Sequence, residues 1–110
     1  MAFYEGRTFQ PAGDPSVDGS PPTGHYHQDG DVIWAEFSGG QVRAGRLVGT
    51  ARADGSIDAA YCFVTTDGDA VAGGCLSMPT VLPDGRIRLI EHWRRLDGSS
   101  GVSQVEEVAR

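Results

Sequence analysis

Three charged side chains, Glu36, Arg43 and Glu91, occur in runs of aromatic and aliphatic residues, where a charge is unexpected. Burying a charge is costly unless it is paired and hydrogen-bonded. Such groups could orient a small molecule inside a cavity. They could instead form a partly solvated ion pair at a rim, which contributes only about 0–1 kcal/mol. Two carboxyls could also serve as acid and base if burial raises the pKa of one of them.

Other reactive side chains give weaker signals. His25 and His27 are two residues apart, so they share one strand face, and Asp31 lies opposite His27. These are ligand types for Zn²⁺, but no further ligand has matching spacing, so we predict a solvated surface and no metal site. Cys75 and Cys62 are predicted on opposite faces, so they do not bridge. No histidine faces Cys75, and we interpret it as a small buried hydrophobe.

A repeated turn signal predicts the elements that position these residues. The tripeptide x-Asp-Gly recurs at residues 17–19, 28–30, 53–55, 66–68, 83–85 and 96–98. It suits a three-residue hairpin loop in which Gly takes the left-handed conformation. A seventh turn, 38–41, suits a two-residue loop at Gly39-Gly40. Between the turns lie runs of about ten residues rich in β-branched and aromatic side chains, which are typical of strands.

These signals predict an all-β fold, an antiparallel up-and-down meander of about eight strands that closes into a small barrel. The length of 110 residues indicates one domain, 1–110. The Pro/Gly/Ser-rich stretch 10–24 is a loop or two short broken strands. The register of the last strand, 102–108, stays open because the loop before it could take several lengths.

Turn types fix strand register, and the predicted registers agree on one interior face. They pair Tyr26 with Val32, Trp34 with Gly45, and Cys75 with Trp93. One end of this interior is an apolar plug of Val32, Leu47, Ile57, Pro79, Val81, Ile87 and Leu89. The other end is aromatic and charged. We predict that it binds a ligand through Trp34, Glu36, Arg43, Tyr61, Phe63, Cys75, Ser77, Glu91 and Trp93.

The composition restricts partners and location. A net charge of −6 and a pI near 4.8 argue against nucleic acid and anionic membrane surfaces as partners. There is no signal-peptide pattern and no apolar run of about 18 residues, so we predict a cytoplasmic protein. The Gly-rich pairs precede no helix, so they are not phosphate loops, and we predict no cofactor. Many apolar residues fall on the predicted outer face, which favours a homodimer or cover by the N-terminal loop: Ile33, Phe37, Val42, Val48, Val64, Leu76, Met78 and Ile90.

Three runs carry a resemblance to a known family: WAEFSGG at 34–40, GRLVG at 45–49 and GRIRLIEHW at 85–93, with Glu106 and Glu107 near the C-terminus. They resemble a family of small uncharacterised bacterial proteins that often bear the label N-acetylglutamate synthase. An acyl-CoA transferase of the usual kind has an α/β fold and a pyrophosphate-binding turn before a helix, and the sequence predicts neither. The resemblance implies a β-barrel similar in outline to lipocalin and avidin-like barrels, and it assigns no catalytic residue.

The sequence therefore leads to one hypothesis and two alternatives. The hypothesis is a barrel that binds a small ligand at its polar-aromatic end. The first alternative is a small hydrolase or isomerase that uses Glu36 and Glu91 as a carboxyl pair. The second is an interaction module that docks a protein partner on its outer apolar face.

Overall fold

The chain closes into a barrel of eight antiparallel strands. The computed structural model describes residues 3–11 and 22–108. In these residues the strands are β1 (Thr8–Pro11), β2 (Thr23–Asp29), β3 (Val32–Gly39), β4 (Val42–Ala51), β5 (Ile57–Thr65), β6 (Ala70–Val81), β7 (Ile87–Arg95) and β8 (Ser100–Glu107). Each strand pairs with the next, and β1 pairs with β8. The predicted all-β meander barrel is confirmed. Among the described residues, no helix has the length and apolar character that crossing a membrane requires.

Four of the predicted x-Asp-Gly hairpins form as expected. The glycine has a positive φ in each of them, at Gly55, Gly68, Gly85 and Gly98. In the first, the Asp54 carboxylate accepts hydrogen bonds from the backbone N–H and the hydroxyl of the residue after the glycine. The side chain thus stabilises the turn that the backbone requires. The turn predicted at 17–19, and most of the predicted loop 10–24, lie outside the described residues.

The predicted registers of the central and C-terminal hairpins are also correct. Leu47 on β4 lies opposite Tyr61 on β5, and Tyr61 lies opposite Gly73 on β6. Cys75 lies opposite Trp93. The register that the sequence left open, that of β8, places Trp93 beside Gly101 and Glu91 beside Ser103.

The predicted orientation of β3 is wrong. Tyr26 pairs with Ala35 instead of Val32, and Gly45 pairs with Phe37 instead of Trp34, a displacement of three residues on each side of the strand. An odd displacement turns every side chain of a strand to the other face. Ile33, Ala35 and Phe37 therefore point inward, and Val32, Trp34 and Glu36 point outward.

Two turns and one bulge cause this error. The β2–β3 loop is Gly30-Asp31, a two-residue turn with positive φ at its first position, rather than the three-residue loop 28–30. The β3–β4 loop is Gly40-Gln41 rather than Gly39-Gly40. An extra residue between Val42 and Ala44 then shifts β4 by one position against both of its neighbours. Such a bulge leaves no clear signal in a single sequence.

The hydrophobic core occupies the barrel end at the loops 30–31, 53–55 and 83–85. Its strand residues include Ile33, Ala35, Leu47, Ile57, Ile87 and Leu89. The predicted plug is thus present, but Val32 is 43% exposed and Val81 is 64% exposed, so neither belongs to it. Tyr4, from the turn before β1, is fully buried and closes this end. Its backbone N–H donates to the Gln28 side chain, and its hydroxyl donates to the Gly55 carbonyl.

A buried carboxylate joins the first and last strands. Glu107 is 4% exposed and accepts a hydrogen bond from Arg7 at 2.7 Å. The same carboxylate accepts from the backbone N–H of Ile87. The strands are further joined by a bond from the Val108 N–H to the Thr8 carbonyl. These contacts fasten the seam at which the barrel closes.

Candidate functional site

The barrel end opposite the core contains an open cavity of about 360 Å³. It lies at the loops 40–41, 66–68 and 96–98. Its wall is mostly aromatic and aliphatic, with a few polar groups, and consists of Phe9, Pro11, Pro22, Gly24, Tyr26, Phe37, Val42, Leu47, Tyr61, Phe63, Cys75, Glu91, Trp93, Arg95, Ser103, Gln104 and Val105. Ligand pockets have this character and a volume of roughly 300–1,000 Å³.

Glycines on neighbouring strands make room for the large rings. Phe37 lies opposite Gly45, and Trp93 lies opposite Gly101. A Cβ on Gly101 would approach within 2.6 Å of the Trp93 ring, and one on Gly45 would overlap the Phe37 ring. Each ring can therefore lie flat over its partner's backbone, so the rings line the wall and leave the lumen open.

Glu91 supplies the carboxyl group of the cavity. It projects from β7, and one of its oxygens accepts a hydrogen bond from the Ser103 hydroxyl at 3.2 Å. Burial raises the pKa of this carboxyl, and the Ser103 hydrogen bond offsets only part of that rise. Among the described residues Glu91 forms no ion pair. Its charge is therefore incompletely compensated.

Two further titratable groups beside Glu91 stay neutral near pH 7. Burial raises the pKa of the Cys75 thiol to about 11, and the Glu91 carboxylate adds to the rise. Burial, together with Glu91, also raises the pKa of Tyr26 well above its usual range. The Cys75 thiol lies 3.9 Å from the hydroxyl of Ser77, which is buried beneath the cavity and does not line it. A thiol with so high a pKa is a poor nucleophile.

The mouth of the cavity has a stacked arginine. The Arg95 guanidinium lies 4.9 Å from the centre of the Trp93 ring and 5.9 Å from that of Phe63. Phe63 is itself stacked on Tyr61, with ring centres 6.1 Å apart. The side of the mouth at β5 and β7 is therefore formed by flat rings under a cationic group.

Besides Ser77, three predicted site residues lie outside the cavity. Trp34 and Glu36 are on the outer surface because β3 is inverted relative to the prediction. There Trp34 stacks on His27, and Glu36 lies 2.9 Å from the same imidazole. Arg43 is exposed at the bulge in β4 and does not line the cavity.

This placement removes the chemical basis of the proposed carboxyl pair. Glu36 lies outside the barrel wall, and Glu91 lies inside it. The two groups cannot flank one substrate, which is what acid–base catalysis by a pair requires. Among the described residues, no three His, Cys, Asp or Glu side chains are grouped so that they could hold a metal ion.

The sequence contained signals for two lining residues that were missed. On β3, the frame Ile33, Ala35, Phe37 is wholly apolar, whereas the predicted interior frame includes Glu36. Hydrophobic alternation alone would have chosen the correct frame and placed Phe37 inside. Arg95 lies two residues after Trp93, so strand alternation also places it on the inner face. Val42 and Phe37, both predicted outside, line the cavity.

The fold and this cavity define a closed eight-stranded up-and-down barrel with one filled end and one open end. The family model described as "Avidin-like protein" matches residues 2–108. The chain therefore belongs to the avidin-like family. No curated protein and no solved structure matches the chain.

Proposed function

We propose that the protein binds a small organic molecule in the open end of its barrel. The observation that carries the proposal is the unequal filling of the interior. Core side chains and Tyr4 fill one end, while about 360 Å³ stays open at the other. Five of the residues predicted from the sequence contact the ligand in this proposal, namely Tyr61, Phe63, Cys75, Glu91 and Trp93. Membership of a family of small barrels also supports it.

Binding accounts for the cavity better than a reaction does. The thiol beside Glu91 is held neutral, and the second carboxyl of the predicted pair is outside the barrel. Acyl transfer, which the label on the resembling bacterial proteins suggests, normally uses a pyrophosphate site at a helix N-terminus. The described residues form strands and turns without a helix.

Native mass spectrometry of freshly purified protein tests the proposal with two matched variants. Val105 lines the cavity, while Val102, on the same strand, is exposed on the outer surface. Val105→Trp fills the cavity, whereas Val102→Trp adds the same ring outside. We expect the wild type and Val102→Trp to retain a bound small molecule and Val105→Trp to lose it. A wild type without any bound molecule, or one retained by Val105→Trp, would contradict the proposal.

The same spectra test the oligomeric state. We propose a homodimer that buries apolar residues of the outer face, among them Val48, Met78 and Val102, which are all exposed in the single chain. Met78 lies opposite Ile90 on the neighbouring strand, so their side chains form one continuous apolar area. A strictly monomeric wild type would contradict this proposal. The cytoplasmic location stays a prediction.

A further inference from the structure

We infer that the cavity selects a ligand with a protonated amine, held by Glu91 and by the aromatic wall. This inference rests on the proposed function and specifies its ligand class. The juxtaposition that carries it is a carboxylate with one hydrogen-bond donor, inside a cavity whose wall is built mainly of aromatic and aliphatic side chains.

The carboxylate has unused hydrogen-bonding capacity. An ionised carboxylate offers about four acceptor positions. Glu91 uses one of them for the Ser103 hydroxyl, and burial disfavours its charge. A bound ammonium group would donate to the free positions and neutralise the charge at once. Charge-assisted hydrogen bonds of this kind are about twice as strong as neutral ones.

The wall suits a cation and an apolar body. The faces of Trp, Tyr and Phe rings attract an ammonium group because of the ring quadrupole. Tyr26, Tyr61 and Trp93 all line the cavity together with Glu91. The apolar lining favours an aromatic or aliphatic body attached to the amine.

The charges of the cavity disfavour an anion. Of the described lining residues, only Glu91 and Arg95 are of types that carry a full charge near pH 7. Tyr26 and Cys75 add no charge, because burial raises the pKa of both groups. Arg95 is exposed at the mouth, whereas Glu91 lies deeper beside Tyr26 and Cys75. An anion inside would therefore face Glu91. The net charge of −6 also steers cations toward the protein.

Three matched probes test the inference: 2-phenylethylamine, 2-phenylethanol and 3-phenylpropanoate, each titrated by calorimetry near pH 7.5. Trp34→Phe is the background, so that Trp93 fluorescence reports entry into the cavity. We expect the amine to bind at least about tenfold more tightly than the alcohol and the carboxylate to bind most weakly. Glu91→Gln should abolish the preference for the amine, whereas Glu36→Gln, on the outer surface, should keep it.

The outcomes separate this inference from the proposed function. If the alcohol or the carboxylate binds as tightly as the amine and shifts Trp93 emission, the amine inference is wrong and the cavity still binds small molecules. If Glu91→Gln keeps the amine preference, the inference is wrong as well. If none of the three probes binds or changes Trp93 emission, both the inference and the proposed function are contradicted.

Discussion

At the residue scale, Glu91 stands out because its surroundings oppose its own charge. Burial raises its pKa, and the Ser103 hydroxyl compensates only partly. A partly buried carboxylate without an ion-pair partner lowers the stability of the empty protein. That cost is physically reasonable in a binding site, since a ligand of opposite charge would remove it.

Glu91→Gln is therefore expected to stabilise the protein in a pH-dependent way. The folded-state pKa of Glu91 is raised, so its protonated form favours folding, and that contribution is lost as the pH rises through the folded-state pKa. At about pH 3 the variant and the wild type should melt alike, because the wild-type group is then almost fully protonated in both states. At about pH 8 the variant should melt up to roughly 4 °C higher. Calorimetric melting at both pH values checks this prediction. A variant that melts below the wild type by the same amount at both pH values would contradict it.

At the element scale, the sequence predicted most strands but not the face of β3. Strand existence, the x-Asp-Gly turns and the registers from β4 to β7 follow from local turn chemistry. The orientation of β3 depends on two short loops and a bulge. Each loop lies only one or two residues from the loop that the sequence predicts, so the local sequence does not distinguish them. The turn pattern therefore predicts Trp34 and Glu36 inside, whereas the packing of Ile33, Ala35 and Phe37 against the core turns them outward.

Hairpin register explains both what the sequence predicts correctly about the cavity lining and what it predicts wrongly. Tyr61, Phe63, Glu91 and Trp93 lie on hairpins whose turns fix their register, so their common location was predictable. The depth of the lumen depends on which rings face which glycines across strands, and that requires the full set of registers. The closing of the opposite end by Tyr4 depends on tertiary contacts that no local pattern contains.

Deleting Arg43 should leave the barrel intact. The ladders on both sides of β4 shift by one residue at this position, so removing one residue makes both of them continuous. We expect the free energy of unfolding to change by less than about 1 kcal/mol. Deletion of Arg46, in the regular part of β4, is the control and should cost more than about 3 kcal/mol, because it reverses the faces of half the strand. Urea unfolding of both variants checks this prediction. If the two deletions lower the free energy of unfolding by similar amounts, the barrel requires the bulge for its stability.

At the scale of the whole molecule, closure depends on the short strand β1. Only four residues, Thr8–Pro11, join the barrel's first and last long strands. The ion pair between Arg7 and the buried Glu107 fastens this seam beside them. Removing one partner of a buried pair leaves an uncompensated charge.

Arg7→Met should therefore destabilise the protein by about 1–3 kcal/mol. The matched control is Arg52→Met, since Arg52 pairs with Asp58 at 3.0 Å but both side chains are more than half exposed. An exposed pair of this kind contributes at most about 1 kcal/mol. Urea unfolding gives both values, and hydrogen exchange should quicken at β1 and β8 in the first variant. If the two substitutions lower the free energy of unfolding equally, the ion pair at the seam stabilises the protein no more than an exposed ion pair does.

The same seam has a consequence for how the chain can be reconnected. Because the end of β8 lies beside the start of β1, with the Val108 N–H bonded to the Thr8 carbonyl, a short linker after β8 can lead back to the turn before β1. New termini can then be opened in the loop 83–85, at the filled end of the barrel. Such a circular permutant would keep every neighbouring pair of strands and leave the cavity mouth untouched. The cavity should therefore form whichever strand comes first in the chain, because it depends on which strands are neighbours and not on the order of their synthesis.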